Sequence, residues 1–244
     1  MTDGDHRVGR RDYLKVAGVA AVATLAGCQG ESYDGEPANE FDYETTETAG
    51  VDVPLVPIDD ALAWHREEEA LFADARSLEA YENARIAGAV HSPAREGQEE
   101  NDPVENRETD TRVVTYCGCP HHLSTLRGAS LIGAGYQHTY AIDEGFGPWR
   151  ENGYPMEGES VAQIPTAYSI DGRTRSEHEG EYAWVWHDDS GQREAAPIQS
   201  DGTFSVHIQF YDVTPSSRLR LSVPAGERTG PLAEFVSGEI VVRE

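Results

Sequence analysis

Lysine is almost absent: Lys15 is the single lysine among 19 Lys+Arg, against 44 Asp+Glu, for a formal charge of -25 over 244 residues. A surface so short of cations excludes nucleic-acid binding through a basic face. It equally excludes charge-driven docking on an anionic lipid surface. The acid is not confined to one tail but recurs from Glu31 to Glu244. Spread in this way, it reads as adaptation to high salt, where net charge keeps a protein soluble and the salt screens self-repulsion. Cysteine is also scarce, with only Cys28, Cys117 and Cys119. Hydrophobic residues make up 38% of the chain, which is low but enough for modest cores. The length suits one large domain or two small ones.

Long apolar runs are lacking too. The run from Val16 to Ala26 is about half the ~20 residues that a bilayer-spanning helix needs. It follows Arg10-Arg11 and leads to Leu25-Ala26-Gly27-Cys28. A twin arginine, a short apolar segment and a small-residue processing site form an export address. The pattern resembles the twin-arginine signal of exported proteins, with a lipoprotein-type ending that implies a lipid on the Cys28 thiol. Cleavage before Cys28 would leave no lysine at all. Residues 28–50, rich in Gly, Glu, Asp and Thr, are expected to form a flexible acidic tether.

From Val51 to about Gly158, strand-like and helical segments alternate. Helices are expected over Asp59–Glu69, capped by Asp59 or Asp60, over Leu78–Ala84, and over Ser124–Ala134, capped by Ser124 and stopped by Gly135. Strands are expected at Ala70–Ala73, Ala87–Val90, Val113–Tyr116 and Tyr136–Ile142, with an acidic loop over Arg95–Asp110. Such alternation implies a parallel sheet covered by helices. The clearest strand, Val113–Tyr116, runs straight into Cys117-Gly118-Cys119-Pro120-His121-His122-Leu123-Ser124. A loop at the carboxyl end of a strand, feeding a helix N-terminus, is where such sheets place ligands.

Several anchors stand in a familiar order. They are Asp74-Ala75-Arg76, then Tyr81, then Arg85-Ile86-Ala87-Gly88-Ala89, then Val113–Cys117. Gly135-Tyr136, Glu144-Gly145 with Trp149, and Gly153-Tyr154-Pro155 complete the series. This order resembles the rhodanese family over about Val51–Met156. The resemblance implies a thiolate, here Cys117, in a cup of backbone N–H groups at a helix N-terminus, both of which lower its pKa. It implies attack on a sulfane sulfur to give a persulfide, followed by transfer to a second nucleophile, with no cofactor and no resident metal. It also implies structural roles for Asp74, Arg76, Gly88 and Trp149.

Two features depart from the family. Aligning Ser124 with the family's loop Ser places Leu123 where that loop carries Arg, and the loop is one residue longer. The longer loop resembles rhodanese-fold phosphatases and arsenate reductases, but Leu123 cannot clamp an oxyanion. His121 and His122 supply charge only when protonated, and Arg127 lies one turn inside the helix. The absent Arg also weakens the case for the thiosulfate dianion as donor. The second departure is Cys119, for which four readings stand. It is a neighbour or resolving thiol of a Cys117 nucleophile, or one half of a Cys117–Cys119 dithiol. Alternatively, Cys117, Cys119, His121 and His122 hold a soft metal, or the loop is a relic in a domain that only binds a partner.

Beyond Gly158 the texture changes. Tyr182–His187, Thr203–Val213 and Arg218–Val223 alternate, with Asp188–Gly191 and Asp201-Gly202 as turns and Gly238–Val242 closing the chain. Residues 159–244 are expected to form a small β-sandwich, immunoglobulin-like in pattern only. Tyr182, Trp184 and Trp186 share one face, a stripe expected to lie in the sandwich core, with a ligand platform as the alternative. Together these features describe an exported protein, lipid-anchored on the outer face of the cytoplasmic membrane. Its expected activity is sulfur transfer from a small sulfur-containing donor to a thiol or cyanide-like acceptor. Membrane attachment would come only through the lipid on Cys28, and nothing in residues 159–244 names a protein partner.

Overall fold

The structure, a computed structural model, describes residues 35–94, 102–118 and 121–242. The expected export signal, Cys28, Cys119 and Pro120 lie outside the described residues. The elements of the first half are β1 (Thr45–Thr48), β2 (Val51–Val56), α1 (Ile58–Arg66), β3 (Leu71–Asp74), α2 (Leu78–Asn83) and β4 (Arg85–Ile86). They continue with β5 (Val90–His91), β6 (Val113–Tyr116), α3 (Leu123–Gly133), β7 (Thr139–Ile142), α4 (Phe146–Glu151) and β8 (Met156–Glu157). One sheet has the order β1-β2-β7-β6-β3-β5, parallel except for the antiparallel β1–β2 edge. β4 and β8 form a separate antiparallel pair.

The sheet is buried on both faces, as a parallel sheet requires. Val114 and Tyr116 of β6, with Tyr140 and Ile142 of β7, pack on Leu62 and Trp64 of α1 and on Phe146 and Trp149 of α4. The opposite face, carrying Val53, Leu55 and Ala141, packs on Ala129 and Ile132 of α3. The crossing of α3 depends on Gly128, where an added Cβ would stand 3.0 Å from Val53 Cγ1. Gly135 ends the connection from this helix with φ +100°.

Three local expectations are corrected. Residues 39–50, assigned to the tether, pack on the domain: β1 pairs with β2, and Phe41 and Tyr43 stack together beside Trp64. Ring contacts of these aromatics with Trp64 and Tyr140, and the pairing of β1 with β2, outweigh the acidic, tether-like composition around them. The N-cap of α1 is Pro57, with Asp59 and Asp60 in its first turn. The N-cap of α3 is His122, so Ser124 lies inside the helix.

The second half contains β9 (Tyr168–Arg173), a short 3-10 turn at Ser176–His178, β10 (Tyr182–His187), β11 (Gln192–Pro197) and β12 (Thr203–Ile208). It ends with β13 (Arg218–Val223), β14 (Gly226–Pro231), α5 (Leu232–Phe235) and β15 (Ile240–Val241). A sheet ordered β11-β10-β13-β14 faces one ordered β12-β9-β15, in which β15 runs parallel to β9. Ala183, Val185, Val206, Ile208, Leu219 and Leu221 are among the residues filling the core between them. The strand expected to reach Val213 ends at Ile208, because the Tyr211 N–H leaves the ladder and donates to Gln192 Oε1 at 2.6 Å.

The aromatic stripe is not sandwich core. Side chains alternate along a strand, so when Ala183 and Val185 enter the core, Tyr182, Trp184 and Trp186 point the other way. They point at the first domain, and β10 is thereby covered on both faces.

Candidate active site

Cys117 follows β6, which lies between β3 and β7 in the sheet. Its carbonyl accepts from the Phe146 N–H at 2.9 Å, tying the strand end to α4. Its Sγ donates to Ser124 Oγ at 3.4 Å, and both residues are buried. Ser124 reaches the sulfur because it stands one residue inside α3, while its carbonyl accepts from Thr115 Oγ1 at 2.9 Å. The N-terminus of α3 therefore opens beside the thiol, and its N-cap residue adds no side-chain cap.

The rest of the loop is distributed around this point. Gly118 passes Arg76, whose Cδ lies 4.0 Å from where a Gly118 Cβ would be. His121 takes a left-handed backbone, φ +62°, and its Nε2 lies 2.6 Å from Asp143 Oδ1. The His122 imidazole is pushed down to about 4, first by burial and then by repulsion from His207 and His121. It is therefore uncharged at neutral pH. Leu123 is fully buried against Cys117. The structure thus brings Cys117, Gly118, Leu123 and Ser124 together, and turns the His121 ring away to Asp143.

The nearby guanidinium groups are committed elsewhere. Arg76 forms a buried pair with Asp74 at 2.5 Å, donates to the Ala84 carbonyl, and lies 4.3 Å from the centre of the Phe146 ring. Burial alone would lower its pKa, but Asp74 more than reverses this and the group stays charged. Arg127 does not reach back to the loop: it pairs with Asp102 at 3.1 Å and donates to Ser92 Oγ. His91 Nε2 donates to the Arg76 carbonyl, 3.0 Å away, and the ring rests on Tyr81.

The second domain lies over the thiol. Cys117, Leu123, Ala75 and Ala94 cluster with Trp184 and Ala195, and Tyr182, Trp186 and Leu126 pack around them. Trp184 stacks on Trp186 at 5.6 Å, and Arg193 lies 5.4 Å from the centre of the Trp186 ring. Arg193 also crosses between the domains, donating to the Ala94 carbonyl at 2.9 and 3.2 Å. Beside this contact, His122 borders a cleft of about 490 Å³ lined by Asp171, Arg173, Gln199 and Glu239 among others; Cys117 is not part of its lining. Sequence reasoning missed Trp184, Ala195 and Asp143 as neighbours of the site. Alternation marked the aromatic face, but nothing local said which body it would meet.

A family model for the rhodanese-like domain matches residues 58–152. Among curated proteins, the thiosulfate sulfurtransferase GlpE of Pseudomonas putida is 33% identical over 104 residues, covering 42% of this chain and 88% of that protein. The GlpE of Pseudomonas entomophila is 36% identical over 94 residues, 38% of this chain and 80% of that one. Among solved structures, the rhodanese-like domain of Anabaena sp. Alr3790 is 18% identical with a TM-score of 0.39, covering 46% of this chain and 85% of that chain. The anchors around β3, β6, α3 and α4, the placement of Cys117 after β6, and identity of about a third across most of a curated relative agree, and the chain belongs to the rhodanese-like family.

Proposed function

We propose that this protein is an exported sulfurtransferase that carries sulfane sulfur as a persulfide on Cys117. The observation that carries this reading is the position of Cys117, at the end of a central parallel strand, beside Ser124 Oγ and the open N-terminus of α3. The Cys117 thiolate attacks the outer sulfur of a donor. A sulfur–sulfur bond forms on Cys117, and the donor's remainder leaves with the electron pair of the broken bond. A thiol or cyanide-like acceptor then attacks that outer sulfur and regenerates the thiolate. The first-turn amides of α3, with the backbone N–H groups of Gly118, His121, His122 and Leu123 in the loop, hold the negative charge. Cys119 is a neighbouring or resolving thiol. Thiocyanate formation from cyanide and a sulfane donor is expected to vanish in Cys117→Ser and to survive in Cys119→Ser. Full activity in Cys117→Ser would overturn the assignment.

The second reading, a non-catalytic binding module, is favoured by the cover over Cys117 and by Leu123 in the family's Arg position. A mass increment of one sulfur on the Cys117 peptide after donor treatment separates the two. Localisation follows the sequence pattern alone: a twin-arginine signal, and a lipid on Cys28 holding the folded part outside the membrane. Cys28→Ala is expected to move the protein from the membrane fraction to the medium.

A further inference from the structure

The wall over Cys117 is apolar and comes from the other domain. Trp184 is 7% exposed, and Cys117, Leu123 and Ala195 are each 0% exposed. Cys117 is fully buried in this cluster, so a donor reaches Sγ only when the cluster opens, and it then meets indole, Leu123 and alanine side chains. The two guanidiniums beside the site are held, Arg76 by Asp74 and Arg193 by the Ala94 carbonyl and the face of Trp186. A bare dianion entering here loses water and meets backbone amides but guanidiniums already engaged with Asp74 and Ala94, whereas an apolar group keeps the contacts that Trp184 makes.

We propose that Trp184 is a specificity-determining residue of the Cys117 site, forming an apolar roof that selects donors bearing their sulfane sulfur on an apolar group over the thiosulfate dianion. The inference rests on the sulfur-transfer reading above. With an organic thiosulfonate, the Cys117 thiolate bonds to the terminal sulfur, the bond from that sulfur to the sulfonyl group breaks, and the sulfinate departs with the electron pair. Cyanide then takes the sulfur as thiocyanate and restores the thiolate.

The test uses the full chain, at one fixed salt concentration, with cyanide as acceptor. It compares kcat/KM for benzenethiosulfonate and for thiosulfate in the unaltered protein, Trp184→Ala and Trp184→Phe. The ratio between donors, not its absolute value, is the readout, because the two leaving groups differ intrinsically. Trp184→Ala is expected to lower the preference for benzenethiosulfonate at least fivefold, and Trp184→Phe to restore most of it. An unchanged ratio in Trp184→Ala, with both donors still turned over, would overturn the role of Trp184. If the unaltered chain turns over neither donor, the sulfur-transfer reading fails and the specificity with it. Alkylation of the Cys117 peptide by iodoacetamide provides a readout independent of activity. Its rate should rise tenfold or more in Trp184→Ala that keeps the circular dichroism of the unaltered protein. An unchanged rate would overturn the roof. Where the alanine variant does not fold, Trp184→Leu takes its place, with the same ratio and the same alkylation rate deciding.

Discussion

At the scale of single residues, the site is governed by what its charges are already doing. Asp74 and Arg76 stand two apart, and the sequence marks them as a pair; the structure adds that both are buried and that Arg76 also holds the Ala84 carbonyl. Arg76→Ala leaves a buried carboxylate without its partner, which costs about 3–5 kcal/mol. Urea unfolding of that variant is expected to show a midpoint well below that of the unaltered chain. His122 acts through pH. Its imidazole is uncharged in the fold, with a pKa of about 4, against about 6.5 in the unfolded chain. The folded state therefore binds fewer protons, and stability present above about pH 6.5 is lost as pH falls toward about 4. His122→Gln should flatten the stability profile within that window, measured by urea unfolding at pH 7.5, 5.5 and 4.5. Cys117 and Leu123 were legible from the strand and the family's spacing. The neutrality of His122 was not, because it depends on burial and on repulsion from His207, 85 positions away in the chain.

Elements with strong local signals were readable, and those built from polar or small residues were not. Val113–Tyr116 is β-branched and unbroken, and it is β6. β11 reads Gln-Arg-Glu-Ala-Ala-Pro and β14 reads Gly-Glu-Arg-Thr-Gly-Pro; they become strands by pairing with β10 and β13. β10 carries the sharpest lesson. Its alternation was plain, but a period of two gives two faces without saying which one is the core. Ala183 and Val185 take the sandwich core because the facing sheet already brings Phe204, Val206 and Ile208. The larger aromatics are left to meet the first domain. In β9, Gly172 makes room for this packing: an added Cβ would lie 2.2 Å from Phe204 Cζ and 3.0 Å from the Ile240 carbonyl oxygen. Gly172→Ala is expected to cost about 1–3 kcal/mol through overpacking, read as a lower thermal midpoint.

For the molecule as a whole, two domains share one site. Tyr182, Trp184, Arg193 and Ala195 from the sandwich complete the surroundings of a thiol that belongs to the rhodanese-like domain. Tyr182 is buried deeply enough at this contact to push its phenol up to about 12. The sandwich therefore contributes to the surroundings of the candidate site as well as being an appended module. The net charge of -25 acts at this scale too. An anionic donor approaches a like-charged body, and salt shortens the reach of that repulsion to about 3 Å at 1 M. Turnover with thiosulfate is expected to rise as potassium chloride is raised from 0.1 to 2 M while circular dichroism shows the chain folded. A rate that falls over that range in folded protein would separate the acidic surface from the proposed chemistry.

The sequence by itself determined the family, the parallel sheet, the position of Cys117 at the end of β6 and the strong acidity. Each is written in local spacing, β-branched runs or composition. The tertiary structure alone decided that Ser124 faces the sulfur from inside α3, that residues 39–50 pack against the sheet, and that Trp184 joins the cluster that buries Cys117. The physical reason is common to all three. Burial is settled by which surfaces meet, and the surfaces that meet here come from residues far apart in the chain, where no local pattern records the contact.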